Sequence, residues 1–243
     1  MDISRFLEYT IPVVSNNNKD LVLACKNAKE NNLHAICIKH QAVSAAKELL
    51  ENTNVKICAA IGELDQQLST QEKINIIKQS VQDGANEIEV SINLDFIKKK
   101  NYNAVYKEIK ELKQVANHIP LRICLEISEL NKNQILIICE MCLKANIEHI
   151  ATSSIYLQGN TTLTAVKIIK KTVRNAIKIK AQGNISEFET AIKFLDTGAE
   201  YIGTEIILKK SCDAIQIKNS KTYREYIKAK KKQEELKQLS IEA

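Results

Sequence analysis

Eight short apolar runs alternate with eight longer stretches in which apolar residues recur every three or four positions. The runs are 6–10, 35–38, 55–60, 87–91, 121–126, 148–151, 176–180 and 201–203; the longer stretches are 20–31, 42–51, 70–83, 102–117, 132–145, 162–173, 187–197 and 206–215. A strand repeats every two residues and a helix every 3.6, so each switch of period predicts one β-α unit of a parallel sheet. Runs that are apolar almost throughout, such as VKICAA at 55–60, suit strands covered on both faces. Eight such units in about 220 residues fit a closed (β/α)8 TIM barrel, an α/β fold, better than an open doubly wound sheet. The first turn lacks G-x-G-x-x-G, which leaves dinucleotide binding without support. Ser186-Glu-Phe-Glu189 has the form of a capping box, and Asp83-Gly84 has the form of a helix end.

The 243 residues, 44% hydrophobic and 26% charged, are enough for one large core. We expect a single barrel domain at 1–219. Residues 220–243 read as a polar, lysine-rich helical tail whose apolar stripe, Tyr223, Ile227 and Leu236, is thin. The net charge of +6 is spread over helix faces, and the lysine runs at 98–100 and 228–232 read as solvated surface. With no Trp and 5% aromatics, stacking on nucleic acid is not expected. An odd count of seven cysteines in apolar segments predicts reduced, buried thiols and a cytoplasmic protein. Cys139 and Cys142 have C-x-x-C spacing, but on the apolar stripe of a helix and without a second ligand pair, so core packing is expected rather than a metal site. The first residues lack a basic segment followed by an apolar one, and no apolar run reaches the roughly 20 residues of a membrane span. No cofactor is expected.

Functional groups of a (β/α)8 barrel sit at the C-terminal ends of its strands. Those ends carry Glu8, Lys39, Glu89, Arg122, Glu126, Lys180 and Glu205, much charge for such apolar strands. Isolated charges are costly to bury. These groups are therefore either acid–base machinery or a salt-bridge network that neutralises itself.

Several segments, in order and at matching spacing, resemble the deoxyribose-phosphate aldolase family from residue 6 to about 208. They are Ala35-Ile-Cys-Ile38, Gly84-Ala-Asn-Glu-Ile-Glu-Val90 with Ile92-Asn-Leu94, and Leu125-Glu-Ile-Ser-Glu-Leu130. Ile150 with Thr152-Ser-Ser154 and Ile179-Lys180 with Gly183 complete the set. The resemblance implies a (β/α)8 barrel and a class I aldolase that cleaves 2-deoxyribose 5-phosphate to glyceraldehyde 3-phosphate and acetaldehyde through a Schiff base. It also implies a phosphorylated sugar as ligand and a homodimer.

Carried over position by position, the resemblance puts the catalytic groups at Glu8, Glu89, Glu126, Ala151 and Lys180. Substrate binding falls to Cys37, Thr152, Ser153, Gly183, Asn184, Gly203, Thr204 and Glu205. The family's nucleophilic lysine belongs at the end of the sixth strand, where this chain has Ala151; a methyl group forms no imine. The second family lysine is present as Lys180, but an amine attacks only when neutral, and nearby Glu89 and Glu126 would keep it charged. Lys39 is a weaker substitute for the same reason. The family's acid–base Asp is lengthened to Glu89, and its first-strand acid to Glu8. Three phosphate-binding turns are altered: a Gly becomes Ile155, Gly-Gly becomes Gly183-Asn184 with Ser186 following, and Gly-x-Ser-Ser becomes Gly203-Thr-Glu205-Ile206. Glu205 sets a negative charge where a phosphate would sit, at ~4 Å a cost on the order of 4 kcal/mol per like-charge pair at an effective dielectric of ~20. The turn after the third strand, Phe-Pro-rich in the family, reads Gly62-Glu-Leu-Asp65. The expectation is an aldolase-family barrel impaired or inactive in the family reaction. The alternatives are an atypical aldolase using Lys180 and a non-catalytic partner or scaffold protein.

Overall fold

The computed structural model describes residues 3–12, 18–62, 68–157 and 159–206. Its strands are β1 (Leu7–Thr10), β2 (Ala35–Lys39), β3 (Lys56–Ile61), β4 (Glu87–Ser91), β5 (Leu121–Cys124), β6 (His149–Ala151), β7 (Lys178–Gln182) and β8 (Tyr201–Thr204). All pair in parallel, in chain order, and β8 returns to β1, so the sheet is a closed (β/α)8 TIM barrel. The helices are α1 (Asn18–Glu30), α2 (Val43–Leu49), α3 (Thr70–Asp83), α4 (Leu94–Lys98), α5 (Tyr102–Ala116), α6 (Lys132–Lys144), α7 (Leu163–Val173) and α8 (Phe188–Thr197). Residues 207–215 of the helix expected at 206–215, the tail at 220–243, Cys212 and residues 63–65 of the third turn lie outside the described residues.

Outward-facing strand residues, among them Ile36, Ile57, Ile88, Val90, Ile123, Ile150, Ile179 and Ile202, are buried in one continuous core with the helices. Each helix that covers the barrel contributes one apolar face, as α6 does with Ile135, Ile138, Cys139 and Cys142. Burial pushes the Cys139 thiol up to about 12, so the C-x-x-C pair behaves as packing.

The inward face carries the strand charges, joined in ion pairs as the salt-bridge alternative had it. Because side chains alternate along a strand, the sequences EIEVS, LRIC and KIKAQ send aliphatics outward and Glu87, Glu89, Arg122, Lys178 and Lys180 inward. The strands are covered on both faces, but the inner layer is largely ionic.

Local signals met mixed outcomes. Gly84 ends α3 with φ +105°, a conformation that glycine adopts without strain. The expected capping box at Ser186 is absent: Glu187 is the N-cap of α8, with no side-chain cap bond. The capping boxes instead open α3, between Ser69 and Glu72, and α6, between Asn131 and Gln134. There N3 carries Glu or Gln one turn after the cap, whereas the 186 pattern is out of register by one residue. α4 was not anticipated; Asn93 caps it by accepting from the N–H groups of Asp95 and Phe96. β7 lies two residues later than expected. β5 stops at Cys124, because Glu126 takes a left-handed conformation (φ +54°, ψ +59°).

Candidate functional site

The barrel interior is built around Arg122. Its Nη2 lies 2.7 Å from Glu8 and 3.0 Å from Glu87, and its Nη1 lies 3.1 Å from Glu89. Lys180 Nζ completes the layer, 3.0 Å from Glu8 and 2.9 Å from Glu89. None of these five side chains is more than 1% exposed. Glu8 and Arg122 thus sit inside the barrel, not at its open mouth, and Glu87 joins them although it opens its strand rather than ending it. It stands two residues before Glu89, on the same face, and that spacing was the signal.

Charge balance decides the protonation states. Burial alone would raise the Glu8 carboxyl, but Arg122 and Lys180 outweigh it and hold Glu8 below the usual carboxylate range. Burial opposes ionisation of Glu87 too, yet His34, Arg122 and Lys56 hold its carboxyl well down. Burial would neutralise Lys180, but the Cys37 sulfur and the carboxylates of Glu8 and Glu89 keep its ammonium charged far into the alkaline range. Glu126, expected beside Glu89 as a neighbour of Lys180, makes its contacts elsewhere, and Glu8 takes that place.

Ala151 is fully buried, in register with Lys180 on β7 and Cys124 on β5. It stands two residues after His149 and so shares the inward face. Lys39, half-buried at the end of β2, belongs to no ion pair among the described residues.

The segment after β6 crosses the mouth. Glu126 accepts hydrogen bonds from Ser91 Oγ (3.0 Å) and from the Ser154 N–H (3.2 Å). Ser154 Oγ in turn accepts from the N–H groups of Tyr156 (3.1 Å) and Leu157 (3.3 Å). Burial raises the Glu126 carboxyl, against these donors. The turn so held drops Ile155 and Tyr156 into an apolar cluster with Cys37, Cys58 and Ala60. Tyr156 Oη donates to the Ala60 carbonyl at 3.0 Å. A Cβ at Gly62 would stand 2.9 Å from the Tyr156 ring, so Gly62 leaves room for it. Tyr156 therefore bridges the mouth from β6 to β3, a role that the sequence alone did not suggest.

Cys37 donates to Glu89 at 3.8 Å within the interior. Cys37, Cys58 and Glu89 bring three ligand atoms within 4.8 Å of one another. Arg122 at 3.5 Å from the Cys58 sulfur and Lys180 on Glu89 already supply positive charge there, which disfavours a cation.

On the β7–β8–β1 side the rim encloses a cavity of about 140 Å³. Gly183, Asn184, Gly203, Thr204 and Glu205 line it together with Thr10, Ser154, Gln182, Ile185, Ser186 and Ile206. Gly183 (φ +121°) and Asn184 (φ +55°) form the turn after β7, and a Cβ on Gly183 would fall 2.0 Å from the Gly159 carbonyl oxygen. Cys37, Thr152 and Ser153 stand apart from this cavity. The Thr152 hydroxyl joins β6 to β7 through reciprocal 2.9 Å bonds with the Gln182 backbone. Ser153 Oγ is buried without a hydrogen-bond partner.

No family model matches the chain. It is similar to the deoxyribose-phosphate aldolase of Clostridioides difficile (strain 630), 30% identical over 207 residues, 85% of this chain and 94% of that protein. Among solved structures it resembles QR15, an aldolase, with a TM-score of 0.78 at 29% identity, covering 84% and 92% of the two chains. It also resembles the tetrameric deoxyribose phosphate aldolase of Aeropyrum pernix, with a TM-score of 0.76 over 83% and 86%, a likeness of fold at 18% identity. Barrel, inward carboxylates, strand 7 lysine and glycine turn occur in one chain whose relatives match nearly end to end, and the chain belongs to the deoxyribose-phosphate aldolase family.

Proposed function

We propose that this chain is an aldolase-family barrel that no longer carries out the Schiff-base cleavage of 2-deoxyribose 5-phosphate. The observation that carries the reading is the state of Lys180. With a methyl group at Ala151, Lys180 is, among the described residues, the inward amine next to the family's nucleophile position, and two carboxylates hold it at 2.9 and 3.0 Å. An amine must lose its proton before it can attack a carbonyl, and this environment favours the ammonium form. Tyr156 across the mouth and the complete burial of Lys180 further oppose entry of an aldehyde. Glu205 at the rim opposes a phosphate.

Borohydride trapping tests this directly. Incubation of the full chain with acetaldehyde or 2-deoxyribose 5-phosphate, followed by reduction, leaves the protein mass unchanged. A reduced adduct mapped to Lys180 would overturn the reading in favour of an atypical aldolase.

A further inference from the structure

We propose that a cleft at the N-terminal end of the barrel, opposite the mouth, binds a small polyanion of the diphosphate kind. Nothing in the proposal depends on the state of Lys180, and its test involves no aldehyde.

The cleft lies where β2 and β3 begin. Arg5 approaches it just ahead of β1, Lys29 comes from the last turn of α1, and Lys56 opens β3. Its volume is about 510 Å³, within the ~300–1,000 Å³ of pockets that hold small ligands. Buried Leu33 and Val55 supply its apolar part.

Charge gives the cleft its sign. No Asp or Glu is among the described residues that line it. Lys56 is in part engaged, with Nζ 2.8 Å from Glu87, yet its side chain keeps 44% exposure. Arg5 lies over the Phe6 ring at 4.8 Å, exposed like Lys29. Lys29 belongs to no ion pair among the described residues, and the adjacent carboxylate of Glu30 pairs instead with Lys26 at 3.8 Å. Two helix ends weigh the other way, since α1 and α2 both finish beside the cleft and a helix C-terminus is partly negative. Their last carbonyls are occupied, however. The Leu33 N–H takes Ala28 at 3.0 Å, the Asn32 N–H takes Lys29 at 3.2 Å, and the Thr53 hydroxyl takes Leu50 at 2.7 Å. What remains of each dipole is a fraction of one charge, against three cationic side chains.

The uncharged groups agree. Asn32, Asn52 and Asn54 each carry a side-chain amide that can turn its NH2 toward an anion. The N–H groups of Asn32, Leu33, His34, Thr53 and Lys56 are spent within the fold. His34, stacked on Tyr201 at 4.4 Å, faces Glu87 at 3.6 Å and belongs to the interior network. The cleft thus offers two exposed cations from separate elements, a third in part engaged, and three amides. A single negative charge satisfies one of these cations, whereas a diphosphate carries charge enough for all of them.

The test follows the amide resonances of Asn32 and Asn54 in the full chain as pyrophosphate is added at constant ionic strength, with Gly183 and Gly203 watched at the mouth. Asn32 and Asn54 shift saturably, and acetate at the same concentration leaves them in place. Arg5→Gln and Lys29→Gln each weaken pyrophosphate about three- to tenfold, the scale of one charge-assisted hydrogen bond at an exposed site. Lys99→Gln, at an exposed lysine outside the cleft, leaves the affinity unchanged. An equal loss in Lys99→Gln would reduce the binding to general charge attraction and overturn the proposal. Shifts confined to Gly183 and Gly203, an equal response to acetate, or no saturation would overturn it as well.

Discussion

Arg122 has more carboxylates than any other side chain in the interior. Its guanidinium fork makes this possible, since two nitrogens reach three carboxyl groups at 2.7 to 3.1 Å. Removing a partner from a buried ion cluster exposes the uncompensated charge of those left behind, at about 3–5 kcal/mol. Arg122→Leu is therefore expected to lower unfolding free energy by that amount in urea titration, with part of the loss recovered under mild acid as the stranded carboxylates protonate. A loss below about 1 kcal/mol would mean that Lys180 and Lys56 suffice alone. How far such residues are legible depends on what a single sequence records. Glu8, Glu89, Arg122 and Lys180 stood out as charges in apolar strands. The nearness of Lys180 to Glu89 was legible too, but the place of Glu8 and Arg122 between them was not, because β1, β4, β5 and β7 are brought together only by closure of the barrel. Glu87 and His149 were hidden for a simpler reason: they begin their strands and read as boundaries.

At the scale of elements, the turn from Thr152 to Leu157 does more than lead the chain away from β6. Glu126 and Ser154 shape it, and Tyr156 anchors it to β3. Tyr156→Ala is expected to open a path to Cys37 and Cys58, which are fully buried. Peptide mapping after iodoacetamide treatment should show these two cysteines alkylated at least tenfold faster than in the unmodified chain, while Cys139 and Cys142 stay protected. Equal rates in the two proteins would show that the ring does not gate the interior. The same turn governs any attempt to rebuild the nucleophile. Ala151→Lys alone should give no borohydride-trapped adduct with acetaldehyde, because the new amine would be sealed in. Ala151→Lys with Tyr156→Ala should give one, its amine kept less protonated by the adjoining Lys180. An adduct in the single variant would deny the turn this role. The apolar run at 148–151 was plain in the sequence, whereas the inward course of Ile155 and Tyr156 was not. A tyrosine a few residues past a strand looks the same whether it lies on the surface or across the barrel, and only the room left by Gly62 separates the two.

The whole molecule carries its buried charges as a pH dependence. Glu8 and Glu87 have depressed carboxyl values, so their contribution to stability is full above the unfolded value of ~4.3 and fades as pH falls through the folded values. His149, lowered to about 4 by burial and then by Arg122, acts earlier: its contribution is full above ~6.5 and drains away as pH falls toward 4, on the order of 3 kcal/mol. Glu126, with a raised value, has the opposite sign and offsets a part. Urea midpoints should hold steady near neutrality and begin to fall at about pH 6.5. In His149→Gln the fall should wait for the carboxylate range; an unchanged profile would remove His149 from this account. The fold itself was the most legible level, since eight changes of period leave few arrangements open. The depth of the charges was less so, because their positions along the strands read as ends at the mouth, whereas Glu8, Glu87 and Arg122 lie fully inside. Yet the five charges of the Arg122 layer are divided by half-barrel. Glu8, Glu87 and Glu89 come from β1 and β4, Arg122 and Lys180 from β5 and β7. In this layer each half supplies the counter-ions of the other. Two copies of the first half would set its carboxylates against one another with only the partly exposed Lys56 to offset them, and two copies of the second would set cation against cation. A symmetric barrel made by doubling either half is thus disfavoured at its centre, where the two halves of this chain complete each other.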